Sequence, residues 1–390
     1  MKICIVHNEY GKFSGEEAVV QSLLRLLTEH GHEVRYFSRS SAEIPGMRLG
    51  NIRAFFGGIF SFSSKKAMRR CLREFKPDIV HVHNLFPLIS PSVLGVCRRA
   101  GVPVVMTAHN YRLVCPNGLH MNDGRVCEKC CGGREYHCLL NNCEGSYFKS
   151  LGYFLRNYAA RKLRLFKRNV SMFACLTEFQ KQRLIEEEFD TAKIAVIPNM
   201  VGDGSIEPSK SVGDYVGFVG RISPEKGVDA LVEAARGLPE IRFKAAGAFD
   251  RMKALVADSP ENFEFIGLVK YEKISEFYKL SRAVLLPSVW FEGFPMILLE
   301  AMLTAKPIIA SRIGGIPEIV EDGVTGLLFE PGNADELAAK VKTLWENPDL
   351  CRQMGQAGRK KALREYSSEK YYSRLMDVYN KVLDNSHSVG

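Results

Sequence analysis

Twelve apolar runs of strand length alternate with helical patterns along this chain, in two successive sets of six. That alternation confines the fold to parallel sheets flanked by helices. The first set falls at 3–6, 34–37, 79–82, 102–107, 173–177 and 194–197. Between its first two runs Ala18, Val19, Leu23, Leu26 and Leu27 recur on one helical face before Gly31 stops the pattern. After a polar stretch the alternation restarts at 216–219, 241–245, 263–266, 284–286, 308–310 and 327–329. The chain has 390 residues, and single cores stop growing near about 250–300. The expectation is an α/β protein of two Rossmann-like, doubly wound domains facing across a cleft, with ligands beyond the carboxyl ends of the strands. The boundaries are 1–200, 201–367 and a tail helix at 368–390, with the linker at 203–214, rich in Gly, Ser and Asp. Tyr371, Tyr372, Leu375, Met376, Tyr379 and Val382 make that tail amphipathic, and it is expected to return to the first domain.

Composition narrows the class. No stretch approaches a membrane span, and the apolar run after Lys2 is too short for a signal peptide, so a cytoplasmic protein with reduced thiols is expected. The net charge of +9 is uneven, because residues 1–205 hold 29 Lys/Arg against 18 Asp/Glu. An anionic partner for the front half follows.

The chemistry concentrates after the run at 284–286. There Pro287-Ser288 leads into Trp290-Phe291-Glu292-Gly293-Phe294, and Pro295 opens a helix. A turn glycine lets backbone approach a ligand, and a helix start suits phosphate. Carboxylates at Glu292 and Glu300 would repel phosphate but accept from sugar hydroxyls. A ligand carrying both groups fits.

This stretch, with two glutamates eight positions apart around Gly-Phe-Pro, resembles the donor motif of the retaining, GT-B-fold glycosyltransferases of family 4 (group 1). The resemblance implies that Glu292 contacts the donor sugar, that Gly293, Phe294 and Pro295 hold sugar and phosphate, and that Glu300 accepts from the ribose. It implies that Arg221 and Lys226, in Gly220-Arg-Ile-Ser-Pro-Glu-Lys-Gly227, neutralise the diphosphate, and that Leu268 and Val269 offer backbone to the base. The loop at 311–318 matches the family's glycine-bearing loop near the site. Gly15, at the first helix, would approach phosphate, although Ser14 stands where the family has a further glycine. His109 matches the family histidine near the reacting centre, whereas His81 and His83 read as satisfied buried histidines. The implied activity is a metal-independent, retaining transfer from a UDP- or GDP-sugar to a saccharide or lipid-linked acceptor, in surface polysaccharide or glycolipid synthesis. Residues 1–200 would bind acceptor and 201–367 donor, with Arg221, Lys226 and His109 converging on one sugar nucleotide.

Two features lie outside the motif. Cysteines crowd the insertion at 112–146, and Cys115, Cys127, Cys130 and Cys143, with Cys138 as an alternative, could hold a structural zinc; catalysis itself calls for no cofactor. Basic and aromatic residues interleave at 147–168, with more bases at 65–76, which suits peripheral attachment to an anionic membrane. A zinc-dependent nucleic-acid-binding protein would use the cysteines and charge but leaves the donor half unexplained, so no nucleic acid partner is expected. A sugar-nucleotide epimerase of the same architecture is the rival among enzymes.

Overall fold

The computed structural model describes residues 1–11, 14–201, 206–249 and 252–387. The chain forms two compact units, one of Met1–His120, Cys127–Pro198 and the tail from Tyr371, the other of Met121–Val126 and Asn199–Lys370. Lys12, Phe13 and residues 203–205 of the expected linker lie outside the described residues.

The first unit carries a six-stranded parallel sheet of β1 (Lys2–Glu9), β2 (Glu33–Ser40), β3 (Ile79–Asn84), β4 (Val104–Ala108), β7 (Met172–Cys175) and β8 (Ile194–Val196). Its order is β2-β1-β3-β4-β7-β8. Between β4 and β7, β5 (Met121–Asn122) and β6 (Arg125–Val126) pair as a short antiparallel ribbon. Asp123 and Gly124 both turn at positive φ there, as a two-residue hairpin turn requires. The second unit's sheet comprises β9 (Tyr215–Val219), β10 (Phe243–Ala246), β11 (Phe263–Gly267), β12 (Ser281–Leu286), β13 (Ile308–Ser311) and β14 (Gly326–Phe329). Its order is β11-β10-β9-β12-β13-β14.

Each sheet has helices on both faces, which is why central strands such as β3, β4 and β13 read as near-continuous apolar runs, whereas the edge strands β2 and β11 carry charged, exposed residues. Every residue of β3 is buried. Val80, Val82, Val104, Met106 and Phe173 pack against Met68, Leu72 and Leu94 in the first core. Phe218, Phe243, Leu285 and Phe329 pack against Leu231, Leu337 and Val341 in the second. Burying each such side chain is worth about 1.5–3 kcal/mol. The helix Ser368–His387 begins in the second unit, and from Tyr371 onward it belongs to the first. Tyr371, Leu375, Tyr379 and Val382 are buried on it, and the Tyr379 hydroxyl meets His81 Nδ1 at 2.7 Å.

Strand order locates the sites. Connections run opposite ways from β1 and β3 in the first sheet, and from β9 and β12 in the second, so a crevice opens beyond each pair's carboxyl ends. The loops after β9 and β12 are those that carry Arg221 to Lys226 and Ser288 to Pro295.

Candidate functional site

In the second unit the β9 and β12 loops interlock. Gly227 adopts φ +68°, and a Cβ there would lie 1.8 Å from the Pro287 carbonyl oxygen, so only glycine allows this approach. Val289 N–H donates to the Glu225 carbonyl across the same seam. The seam sets Lys226 against Glu292. Glu292 is buried, and its Oε1 accepts from Lys226 Nζ at 2.7 Å, Ser288 Oγ at 2.6 Å and Trp290 Nε1 at 3.0 Å. Lys226 also stands 5.5 Å from the centroid of the Trp290 ring. Ser288 and Trp290 were not singled out from sequence, although they sit in the same loop.

Pro295 is the residue before the helix Met296–Leu303, one position earlier than the sequence placed it. Its missing N–H costs nothing there, and the first-turn N–H groups of an eight-residue helix stand beside Gly293. Phe294 is buried and packs edge-on to Tyr366. On the helix, Glu300 Oε2 accepts from the Tyr278 hydroxyl at 2.8 Å, and burial raises its pKa, partly opposed by that bond. Arg221 is mostly exposed and pairs with Glu225 at 3.1 Å. Leu268 is 82% exposed, beyond Gly267 at φ +73°, so the Leu268–Val269 backbone forms an open rim. The structure thus unites Lys226 with Glu292 and leaves Arg221, Glu300 and Leu268 separately held.

In the first unit His109 follows β4, and its Nε2 lies 2.7 Å from His83 Nδ1. Burial lowers the His109 pKa to about 3. His7, on β1, is fully buried with its Nδ1 3.7 Å from Glu16. Ser14 Oγ caps the helix Gly15–Glu29, while Glu16 and Glu17 accept from the Tyr10 hydroxyl and N–H. Nothing crowds Gly15, yet a phosphate at this helix start would meet two first-turn carboxylates. The terminus suits hydroxyl groups better than an anion.

In the cysteine-rich insertion, the residues whose ligand atoms gather within 4.8 Å are His120, Glu128 and Cys131, which include none of the four expected cysteines. The Arg183 guanidinium already stands 2.6 Å from Glu128, so a cation occupies part of that cluster. The basic stretch divides as well. Arg156 is buried between the Phe86 and Tyr153 rings and donates to the Pro116 carbonyl, and Arg161 pairs with Glu135. Those two arginines are structural. Phe56, Phe62, Tyr147 and Phe148 are exposed by contrast, at 62%, 79%, 66% and 54%. Among the described residues no helix is long and apolar enough to cross a membrane.

Two sequence-family models together span most of the chain: one described as Glycosyltransferase Family 4 matches residues 13–203, and one described as Glycosyl transferases group 1 matches 205–361. An uncharacterised glycosyltransferase of Methanocaldococcus jannaschii is 26% identical, covering 98% of this chain and 99% of its own. The alpha-maltose-1-phosphate synthase of Mycolicibacterium smegmatis is 35% identical over 43% of this chain and 48% of its own. The Anabaena protein HepE, solved with UDP, has the same fold, with a TM-score of 0.69 and 18% identity over 98% of this chain and all of its own.

Proposed function

Since this chain belongs to the group 1 glycosyltransferases of family 4 and has their GT-B fold, in a family whose transfer is retaining and metal-independent, we propose that it moves a hexose from UDP- or GDP-sugar to a hydroxyl of a saccharide or lipid-linked acceptor. The observation that carries the reading is the Glu292 carboxylate, buried and gripped at one oxygen by Lys226, Ser288 and Trp290. A buried carboxylate so held is oriented rather than merely tolerated.

That grip also favours one mechanism. An oxygen that accepts three hydrogen bonds, one from an ammonium, has its charge drawn into those bonds and is a poor nucleophile. Glu292 then positions the donor sugar, and the acceptor hydroxyl attacks on the face from which the diphosphate departs. The proton of that hydroxyl passes to the leaving phosphate oxygen. Lys226 and Arg221, with the N–H groups beginning the helix Met296–Leu303, stabilise the negative charge that grows on the diphosphate. The family resemblance assigns Glu300 to the ribose hydroxyls and His109 to the sugar.

The setting proposed is the inner face of a membrane, in surface polysaccharide or glycolipid assembly. The exposed phenylalanines Phe56, Phe62 and Phe148, with Lys65, Lys66 and Lys149 near them in sequence, support it, because apolar rings enter the headgroup boundary while lysines meet anionic lipid. A panel of UDP-, GDP- and ADP-sugars tests the donor reading by thermal unfolding. One nucleotide sugar at a hundredfold excess over its Kd should stabilise the protein by about 2.7 kcal/mol. No stabilisation by any of them would reject the donor assignment.

A further inference from the structure

Four histidines gather where β1, β3 and β4 end: His7, His81, His83 and His109. His81 is engaged at both nitrogens, with the Tyr379 hydroxyl at 2.7 Å and Thr107 Oγ1 at 2.8 Å. Its ring lies 4.4 Å from that of His83, and the His83 ring lies 5.0 Å from that of His109 at an interplanar angle of 26°. His83 is 3% exposed, while His109 is partly exposed. A sealed imidazole thus stands behind one that a ligand can reach.

The 2.7 Å bond between His83 Nδ1 and His109 Nε2 carries one proton, so one ring donates and the other accepts. If His109 donated from Nε2, His83 would hold its own proton on Nε2, a buried atom for which the described residues supply no hydrogen-bond partner. If His83 donates from Nδ1, its Nε2 is only an unused acceptor, and His109 carries its proton on Nδ1. Stranding a buried donor is the worse outcome.

We infer that His83 is a positioning residue for His109, donating from Nδ1 so that His109 is fixed in plane and in the tautomer that offers an Nδ1–H to a ligand oxygen. The role of that donor in transfer rests on the function proposed above; the tautomer does not. The titratable groups facing the pair are His7 from β1 and His81 from β3; Glu16 and Glu17, from the helix after β1, act on His7, and Arg112, after β4, lines the same pocket as the pair. Burial, with His81, His109 and His7 repelling a further positive charge, holds His83 well below the ordinary imidazole range, so both rings stay neutral near pH 7. The line from Tyr379 through His81 to His83 makes the tail helix a support for this pair.

Imidazole nitrogen NMR of the full chain, with labelled histidine, tests this directly. The wild type should show His109 protonated on Nδ1 and bare on Nε2. His83→Phe keeps an aromatic ring but removes the donor, so His109 should become a tautomer mixture. Turnover with a nucleotide sugar should fall about a hundredfold while the donor KM holds. His83→Gln, whose amide can donate, should recover part of the loss. A wild-type His109 protonated on Nε2 would overturn the inference, as would His83→Phe with unchanged tautomer and kcat. Should His83→Phe fail to fold, the wild-type tautomer decides alone. Should the wild type turn over no nucleotide sugar, the donor reading fails while the tautomer still decides this one.

Discussion

At the residue scale the decisive object is the Glu292 carboxylate. Glu292→Gln keeps shape but loses the charge that Lys226 answers, so kcat should fall by about a hundredfold or more in a nucleotide-sugar assay. Lys226→Ala should both lower kcat and raise the donor KM, because Lys226 is assigned to Glu292 and to the diphosphate. Equal kinetics for Glu292→Gln and wild type would remove Glu292 from the reaction. The two glutamates were legible because their spacing around Gly-Phe-Pro is local. The Tyr278 hydroxyl that holds Glu300 was not, since it arrives from 22 residues away on another helix. His83 is buried, as a histidine within an apolar run suggests, but its contact with His109 was not legible, because only the pairing of β3 beside β4 brings the two together.

At the scale of elements, loops carry the consequence. Gly227→Ala would drive a methyl into the Pro287 carbonyl, so the β9 and β12 loops must separate. The expected cost is about 1–3 kcal/mol in denaturant unfolding, with weaker donor binding. On the front unit, Phe56→Ser with Phe62→Ser should lower binding to anionic vesicles by about tenfold or more, each ring burying about 1.5–3 kcal/mol of apolar surface. Undiminished flotation with such vesicles would refute attachment through these rings. For the insertion, metal analysis of protein prepared without chelator decides between two organisers, and about one zinc ion per chain, with chelation lowering Tm without ending turnover, would support the cysteine site read from the sequence. Absence of zinc would leave the Glu128–Arg183 pair as the local organiser. All twelve strands of the two large sheets were legible from the sequence, with ends shifted by no more than three residues, because central strands buried on both faces need no alternation to be seen. The paired strands β5 and β6 escaped because two residues are too few to show a period.

At the scale of the whole molecule, pattern predicted two parallel sheets, but strand order came only from structure, since periodicity says nothing about which strand lies beside which. That order matters because it creates the crevice at β9 and β12. It also gathers buried imidazoles, and their burial has a pH signature. Burial holds His81 and His109 at about 3, against about 6.5 in an unfolded chain. Between those values the unfolded state binds more protons, so stability is greatest above pH 6.5 and falls on acidification, by about 1 kcal/mol per pH unit for each such histidine. Chemical denaturation at pH 7.5, 6.0 and 5.0 should show that decline, and a flat profile would mean that these rings are charged or solvated in the folded chain.

The most direct measurement is the anomeric configuration of the product. With the stabilising nucleotide sugar and a hydroxyl acceptor, proton NMR should show the transferred sugar retaining its donor configuration, and the rate should not change on addition of EDTA. An inverted product, or a donor consumed without any glycosyl transfer to acceptor or water, would contradict the account.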